Sequence, residues 1–108
     1  MPGAVLLDAP LTKLGQPTWL LRELGPDFTL LVFGPAPAWA HDLPHVKVLQ
    51  IGIDVIDHQA LAAQRLDALP RTVYLVRPDQ HVCARWCTPT EAAVRSALAR
   101  ATSATPAT

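Results

Sequence analysis

Apolar positions along this chain follow two rhythms, and their alternation predicts the fold. Phe28-Thr29-Leu30-Leu31-Val32-Phe33 is a near-continuous apolar run of strand length, bounded by Asp27 and Gly34. Such a run suits a central strand buried on both faces. Val46-Lys47-Val48-Leu49-Gln50-Ile51 alternates in part and predicts a second strand. Between them, Pro35 and Pro37 lie near a possible helix start, so a short helix is expected to about Leu43, ended by Pro44. From Asp57 to Leu69, the residues Leu61, Ala62, Arg65, Leu66 and Leu69 recur at helical spacing, with Asp57 as the N-cap. Thr72 to Val76 is rich in β-branched and aromatic residues and predicts a third strand. Arg77-Pro78-Asp79-Gln80 reads as a turn with proline at its second position. His81 to Trp86 then returns as the other arm of a hairpin.

Both ends are also patterned. Thr88-Pro89-Thr90-Glu91 has the form of a capping box, with Thr88 as N-cap and Pro89 at the first helical position. Val94, Ala97, Leu98 and Ala101 mark one apolar stripe behind it. Residues 1–16 read as extended chain and turns, with Val5-Leu6-Leu7 as a short apolar run. Gly15-Gln16-Pro17 is a turn signal. Thr18 is expected to cap a short helix from Trp19 to Leu24, stopped by Gly25-Pro26. The order is β-α-β-α-β-β-α behind an N-terminal extension. That predicts an α/β, thioredoxin-like domain over residues 1–101, a central mixed sheet with helices on both faces. The small polar residues 102–108 are expected to form a flexible tail.

Composition narrows the function classes. Half of the 108 residues are apolar and 17% are charged, against about 25% in an average soluble domain. Nine basic and nine acidic residues cancel. A disordered chain is excluded by the apolar content. Nucleic-acid binding is not expected, because nothing supplies a run of phosphate contacts. No apolar run approaches membrane-spanning length, and no export signal is visible. With only two cysteines, this points to the cytoplasm. A small, neutral, charge-poor domain is also expected to have part of its surface covered by a partner.

The chemistry-bearing residues form no recognisable active site. A redox-active thioredoxin-like domain needs a thiolate at a helix N-terminus just after the first central strand. Gly34-Pro35-Ala36-Pro37-Ala38-Trp39 stands there, without cysteine. Cys83 and Cys87 are spaced C-x-x-x-C, roughly 13 Å apart on an extended strand. A disulfide needs Cα atoms within about 7 Å. The proline before the third strand, Pro70, is one place early, and a trans bond is the default. His41 and His45 have helical metal-ligand spacing but are split by Pro44 and lack further ligands. Asp54, Asp57 and His58 could suggest acid–base work, although Asp57 reads better as a cap. On the return strand, Val82, Ala84 and Trp86 should face the core, and His81, Cys83 and Arg85 the outside. The five glycines form no phosphate-binding loop. No catalytic, cofactor-binding or metal-ligating residue is nominated.

A family resemblance rests on three landmarks: Asp8-Ala9-Pro10-Leu11, the segment Phe28–Gly34, and the hairpin Tyr74-Leu75-Val76-Arg77-Pro78-Asp79-Gln80-His81-Val82. Ala84-Arg85-Trp86 and the final helix follow in order. Over about Gly3 to Arg100 the chain resembles the C-terminal domain of flavin-dependent aromatic hydroxylases. That branch includes phenol hydroxylase and 3-(3-hydroxyphenyl)propionate hydroxylase. The resemblance implies a thioredoxin-like module without redox cysteines. It would be appended to a flavin-binding domain that uses FAD and NAD(P)H, and would serve packing or dimerisation. Its partner would be that flavin-binding domain or a second copy, with Trp19, Trp39 and Trp86 as interface candidates. Two other readings stay open: a free-standing thioredoxin-like binding or scaffold protein, and a thiol redox enzyme using Cys83 or Cys87.

Overall fold

In the computed structural model, the apolar run Phe28–Phe33 (β3) is the middle of a four-stranded sheet. Residues 6, 8–57, 60–66, 68 and 71–104 are described, with backbone alone for 102–104. Val5, Leu7, His58, Leu69, Pro70 and residues 105–108 lie outside the described residues. β3 pairs in parallel with Val46–Ile51 (β4) on one side. On the other it pairs antiparallel with Val73–Val76 (β5), which pairs antiparallel with Val82–Trp86 (β6). The spatial order is β4-β3-β5-β6.

Strand periodicity splits β3 between two cores. Leu31 and Phe33 face one layer, together with Leu49, Ile51, Tyr74, Val76 and Val82. Ala62 of the helix Leu61–Leu66 (α1) and Leu11 and Leu20 of the N-terminal segment cover that layer. Leu30 and Val32 face the other, with Val73 and Leu75. Val94, Ala97 and Leu98 of the helix Glu91–Ala104 (α2) close it, with Ala40 and Leu43 beside them. Leu30, Leu31 and Leu75 are fully buried, and cutting any one back to alanine costs about 2–5 kcal/mol.

Several local expectations are corrected. The helix expected between β3 and β4 is a 3₁₀ helix, Ala38–Asp42. The extended chain and turn expected in the N-terminal extension are paired: Pro10–Lys13 (β1) and Gln16–Trp19 (β2) form an antiparallel hairpin. Its turn is Leu14-Gly15, with φ of 51° and 79°. Two consecutive left-handed residues make a two-residue turn that matches strand twist. Pro17 therefore lies in an edge strand and not in the turn, opposite Thr12. Thr12 directs its own N–H and C=O to Ile56, at 2.9 and 2.7 Å.

The helix expected over Trp19–Leu24 is a four-residue 3₁₀ turn, Leu20–Glu23, and Thr18 does not cap it. Its N–H groups are taken by the preceding segment. Leu20 N–H donates to the Ala9 carbonyl at 2.9 Å, and Leu21 N–H to Asp8 Oδ1 at 3.0 Å. The long-range partners satisfy groups that Thr18 was expected to serve.

Among the described residues α1 is Leu61–Leu66, inside the expected span Asp57 to Leu69. The Asp57 carboxylate does cap it, accepting from the N–H groups of Ala62 and Ala63 at 2.9 and 3.0 Å. The Tyr74 hydroxyl of β5 donates to the Leu66 carbonyl at its other end.

At α2 the cap is shifted by two residues. Thr90, not Thr88, is the N-cap, its Oγ1 accepting from Ala93 N–H at 3.2 Å. Glu91 turns instead to Arg95 Nε at 2.9 Å. α2 continues to Ala104.

The alternation assumed for β6 also breaks. Val76 pairs with Val82 but Leu75 with Ala84, so one extra residue is accommodated at Cys83. The bulge puts Val82 in one core and Ala84 and Trp86 against the other. Cys83 turns inward to join the second core. Arg85 lies over the Tyr74 ring, 5.6 Å from its centroid.

Candidate functional site

The C-terminal end of β3 is where a thioredoxin-like sheet presents chemistry, and a cleft of about 450 Å³ opens there. Val32 and Val73 form its floor, and Pro35, Pro37 and Pro89 its walls. Arg71, Cys87 and Thr88 supply the polar atoms. Gly34 leaves β3 with φ +128°, a conformation that favours glycine. The chain then runs through two prolines into the 3₁₀ helix.

That loop has few free donors. Pro35 and Pro37 have no N–H. The N–H of Ala36 donates to Gln50 Oε1 at 2.9 Å. Gln50 is held in turn by Asp54, whose carboxylate accepts from the Gln50 backbone N–H at 2.8 Å. Asp54 is therefore a turn residue here, as Asp57 is a cap.

Arg71, just before β5, lines the cleft and is exposed. Its N–H donates to the Phe33 carbonyl at 2.8 Å, and Phe33 N–H donates to the Thr72 carbonyl at 3.0 Å. Arg71 holds φ +74°, a region that L-residues occupy at a cost of about 1–2 kcal/mol. A left-handed arginine has no compositional signal, so nothing in the sequence marks Arg71.

The two cysteines differ. Cys87 is exposed in the cleft, and Cys83 is half-buried; both are free thiols. Burial pushes the Cys83 thiol up, Arg77 pulls the other way, and Asp79 adds a smaller upward push. Cys83 is thus protonated at neutral pH and a poor nucleophile. The described cleft lining has one cation, one hydroxyl and one thiol, but no carboxylate or imidazole.

The remaining candidates are dispersed. His41 and His45 are both exposed. No group of three or more His, Cys, Asp or Glu side chains is placed to hold a metal among the described residues. Trp39 and Trp86 pack half-buried against the second core, whereas Trp19 is 45% exposed on edge strand β2.

The most exposed large apolar side chains include residues other than the three tryptophans. Leu14 at the hairpin tip is 92% exposed, and Ile53 and Ile56 in the turn after β4 are 53% and 40% exposed. Leu14 and Ile53 line one shallow hollow with Lys13 and Lys47. A charge cluster lies beneath it: Glu23 takes the Thr18 hydroxyl at 2.9 Å and Lys13 Nζ at 3.1 Å. Burial works against the charged Glu23, but the Thr18 hydrogen bond and the Lys13 and Lys47 ammonium groups outweigh it, holding its carboxyl below the usual range. No described helix is long and apolar enough to cross a membrane.

Comparison with solved structures agrees with this sheet. Aklavinone-11 hydroxylase, solved with FAD and aklavinone, superposes with a TM-score of 0.75 at 20% identity. The match covers 89% of this chain and 20% of that one. The flavin-dependent monooxygenase PieE, solved with FAD and substrate, gives 0.67 at 30% identity over 79% of this chain and 17% of that one. The chain thus spans a fifth or less of the length of these two hydroxylases. Peroxidoxin BcpB from Mycobacterium tuberculosis gives 0.67 at 17% identity, covering 95% of this chain and 97% of that one, a likeness of fold alone. No curated protein sequence matches significantly. The family model described as aromatic-ring hydroxylase, C-terminal, matches residues 1–105, and the chain therefore belongs to the aromatic-ring hydroxylase C-terminal domain family.

Proposed function

We propose that this chain is a non-catalytic, thioredoxin-like C-terminal module of a FAD-dependent aromatic-ring monooxygenase, and that it supplies contacts between domains or subunits. The observation that carries this reading is the family match along nearly the whole chain. In the whole enzyme, FAD and NAD(P)H act in a separate flavin-binding domain, in the cytoplasm, and the module packs against that domain or a second copy.

The residues of this chain do not suit a flavin. A pyrophosphate is held by free backbone N–H groups at a glycine-rich turn that opens a helix. The loop after β3 has two prolines, and its Ala36 N–H is already bonded to Gln50. Its 3₁₀ helix has only five residues. Non-catalytic character is further supported by the absence of cysteine from Gly34 to Trp39 and by the suppressed acidity of Cys83.

A contact role is favoured by Leu14, Ile53, Ile56 and Trp19. Leu14 and Ile53 share one hollow, and exposed apolar side chains grouped on a small domain mark interaction surfaces. Leu14 adds backbone strain to exposure, with φ 51°. One measurement on the purified chain tests the cofactor claim: titration with FAD followed by gel filtration. The expected result is colourless protein, and stoichiometric yellow protein overturns it. Cysteine-dependent reduction of insulin disulfides would replace this reading with the thiol redox one. Light scattering, alone and with the flavin-binding domain, tests the contact role; a chain monomeric in both cases refutes it.

A further inference from the structure

We propose that the cleft at the C-terminal end of β3 binds a small apolar monocarboxylate, with Arg71 as its charge partner. The cleft volume of about 450 Å³ lies in the range of small-molecule sites, roughly 300–1,000 Å³. Valine and proline form its floor and walls, so the body of a ligand meets apolar surface. The Arg71 guanidinium makes no hydrogen bond or ion pair among the described residues. It is the one cation among the described residues lining the cleft. A single guanidinium matches one carboxylate through two parallel N–H···O bonds. A phosphate dianion would call for more positive charge than these residues offer. The Thr88 hydroxyl at the rim adds a further donor.

Backbone geometry fixes where Arg71 sits. Arg71 holds φ +74°, where glycine or asparagine fits with less strain. Hydrogen bonds from Arg71 N–H to Phe33 and from Phe33 N–H to the Thr72 carbonyl fix this residue at the cleft rim. Arg71 is exposed, so its guanidinium is open to a ligand arriving from solvent.

The test is an amide-resolved NMR titration of the 108-residue chain with sodium benzoate, benzyl alcohol and inorganic phosphate in turn. Benzoate is expected to give saturable shifts at Gly34, Arg71 and Thr88, with a Kd of about 1 mM, and benzyl alcohol to bind on the order of tenfold more weakly. Arg71→Gln is expected to lose on the order of tenfold in benzoate affinity. Arg71→Gly relieves the left-handed strain, so it keeps the test decisive if the glutamine variant folds poorly. It should fold at least as well as the parent and bind no benzoate. Absence of saturation, shifts located elsewhere, equal binding of benzyl alcohol, tighter binding of phosphate, or undiminished affinity in either variant would each overturn the proposal.

Discussion

The Asp8 carboxylate accepts a hydrogen bond from the backbone N–H of Leu21, thirteen residues along the chain, at 3.0 Å. The same oxygen accepts from Ala9 N–H at 2.9 Å, and the Asp8 carbonyl accepts from Arg65 Nη1 at 2.9 Å. One residue thus joins the N-terminal segment, the 3₁₀ turn and α1. Asp8→Ala is expected to cost about 1–2 kcal/mol, the usual range for a lost cap. Asp8→Asn keeps an acceptor oxygen and should cost less. Urea denaturation of the three proteins checks this, and equal midpoints for Asp8→Ala and the parent would refute the link.

Two threonines separate the cap that the structure contains from the one the motif suggested. Thr90 Oγ1 accepts from Ala93 N–H, while Thr88 lines the cleft. Thr90→Ala is expected to destabilise by about 1 kcal/mol and Thr88→Ala by less than about 0.5 kcal/mol. Thermal unfolding of both variants decides, and a reversed order would restore the capping box at Thr88.

These two cases show what was legible in the sequence. The four central strands were, because a buried strand needs an apolar run whatever its neighbours. β3 and β4 were read to the residue, at Phe28–Phe33 and Val46–Ile51. Elements held by distant partners were not. The Leu20–Glu23 turn depends on Asp8 and Ala9, which local spacing cannot reveal. The β1–β2 hairpin was hidden because Leu14 is an unusual residue for a left-handed turn. The inward turn of Cys83 follows from a bulge in the β5–β6 register, which alternation alone cannot show. At the cleft, the missing cysteine was legible, but the placement of Arg71 was not.

Glu23 makes stability depend on acid pH. Its folded-state pKa is lowered from the ordinary 4.5, so the unfolded chain binds the proton more readily. The contribution is fully present above about pH 5, since the unfolded pKa is near 4.5, and is lost as pH falls through the folded pKa. Lys13 is half exposed, which limits the effect to about 1 kcal/mol. The stability difference between the parent and Glu23→Gln is expected to hold from pH 7 to 5 and shrink below 4.5. Urea midpoints across that range test it. A difference that grows on acidification would show that the sign is wrong.

Thiol reactivity should resolve Cys83 from Cys87. Cys87 is exposed and Cys83 half-buried, with its acidity suppressed chiefly by burial. Reaction with a coloured disulfide reagent at pH 8 is expected to show two phases differing on the order of tenfold or more. Cys87→Ser should remove the fast phase alone. A single phase consuming both thiols would mean that Cys83 is as accessible as Cys87.

Leu14 sets stability against contact. It occupies a left-handed turn position at φ 51° with 92% of its surface exposed. A two-residue turn of this kind favours Asn-Gly, and Gly15 already follows. Leu14→Asn should therefore stabilise the isolated chain by about 0.5–1 kcal/mol, through relief of backbone strain. If the hairpin tip is part of the interface with a flavin-binding domain or a second copy, the same substitution should weaken that association. Large apolar anchors commonly contribute about 1–2 kcal/mol to binding, so an affinity loss on the order of tenfold is expected. Thermal unfolding measures the first effect, and analytical ultracentrifugation with the partner the second. A variant that is both more stable and equally well bound would place the interface away from Leu14. The strained leucine would then be a cost in the fold with no contact to offset it.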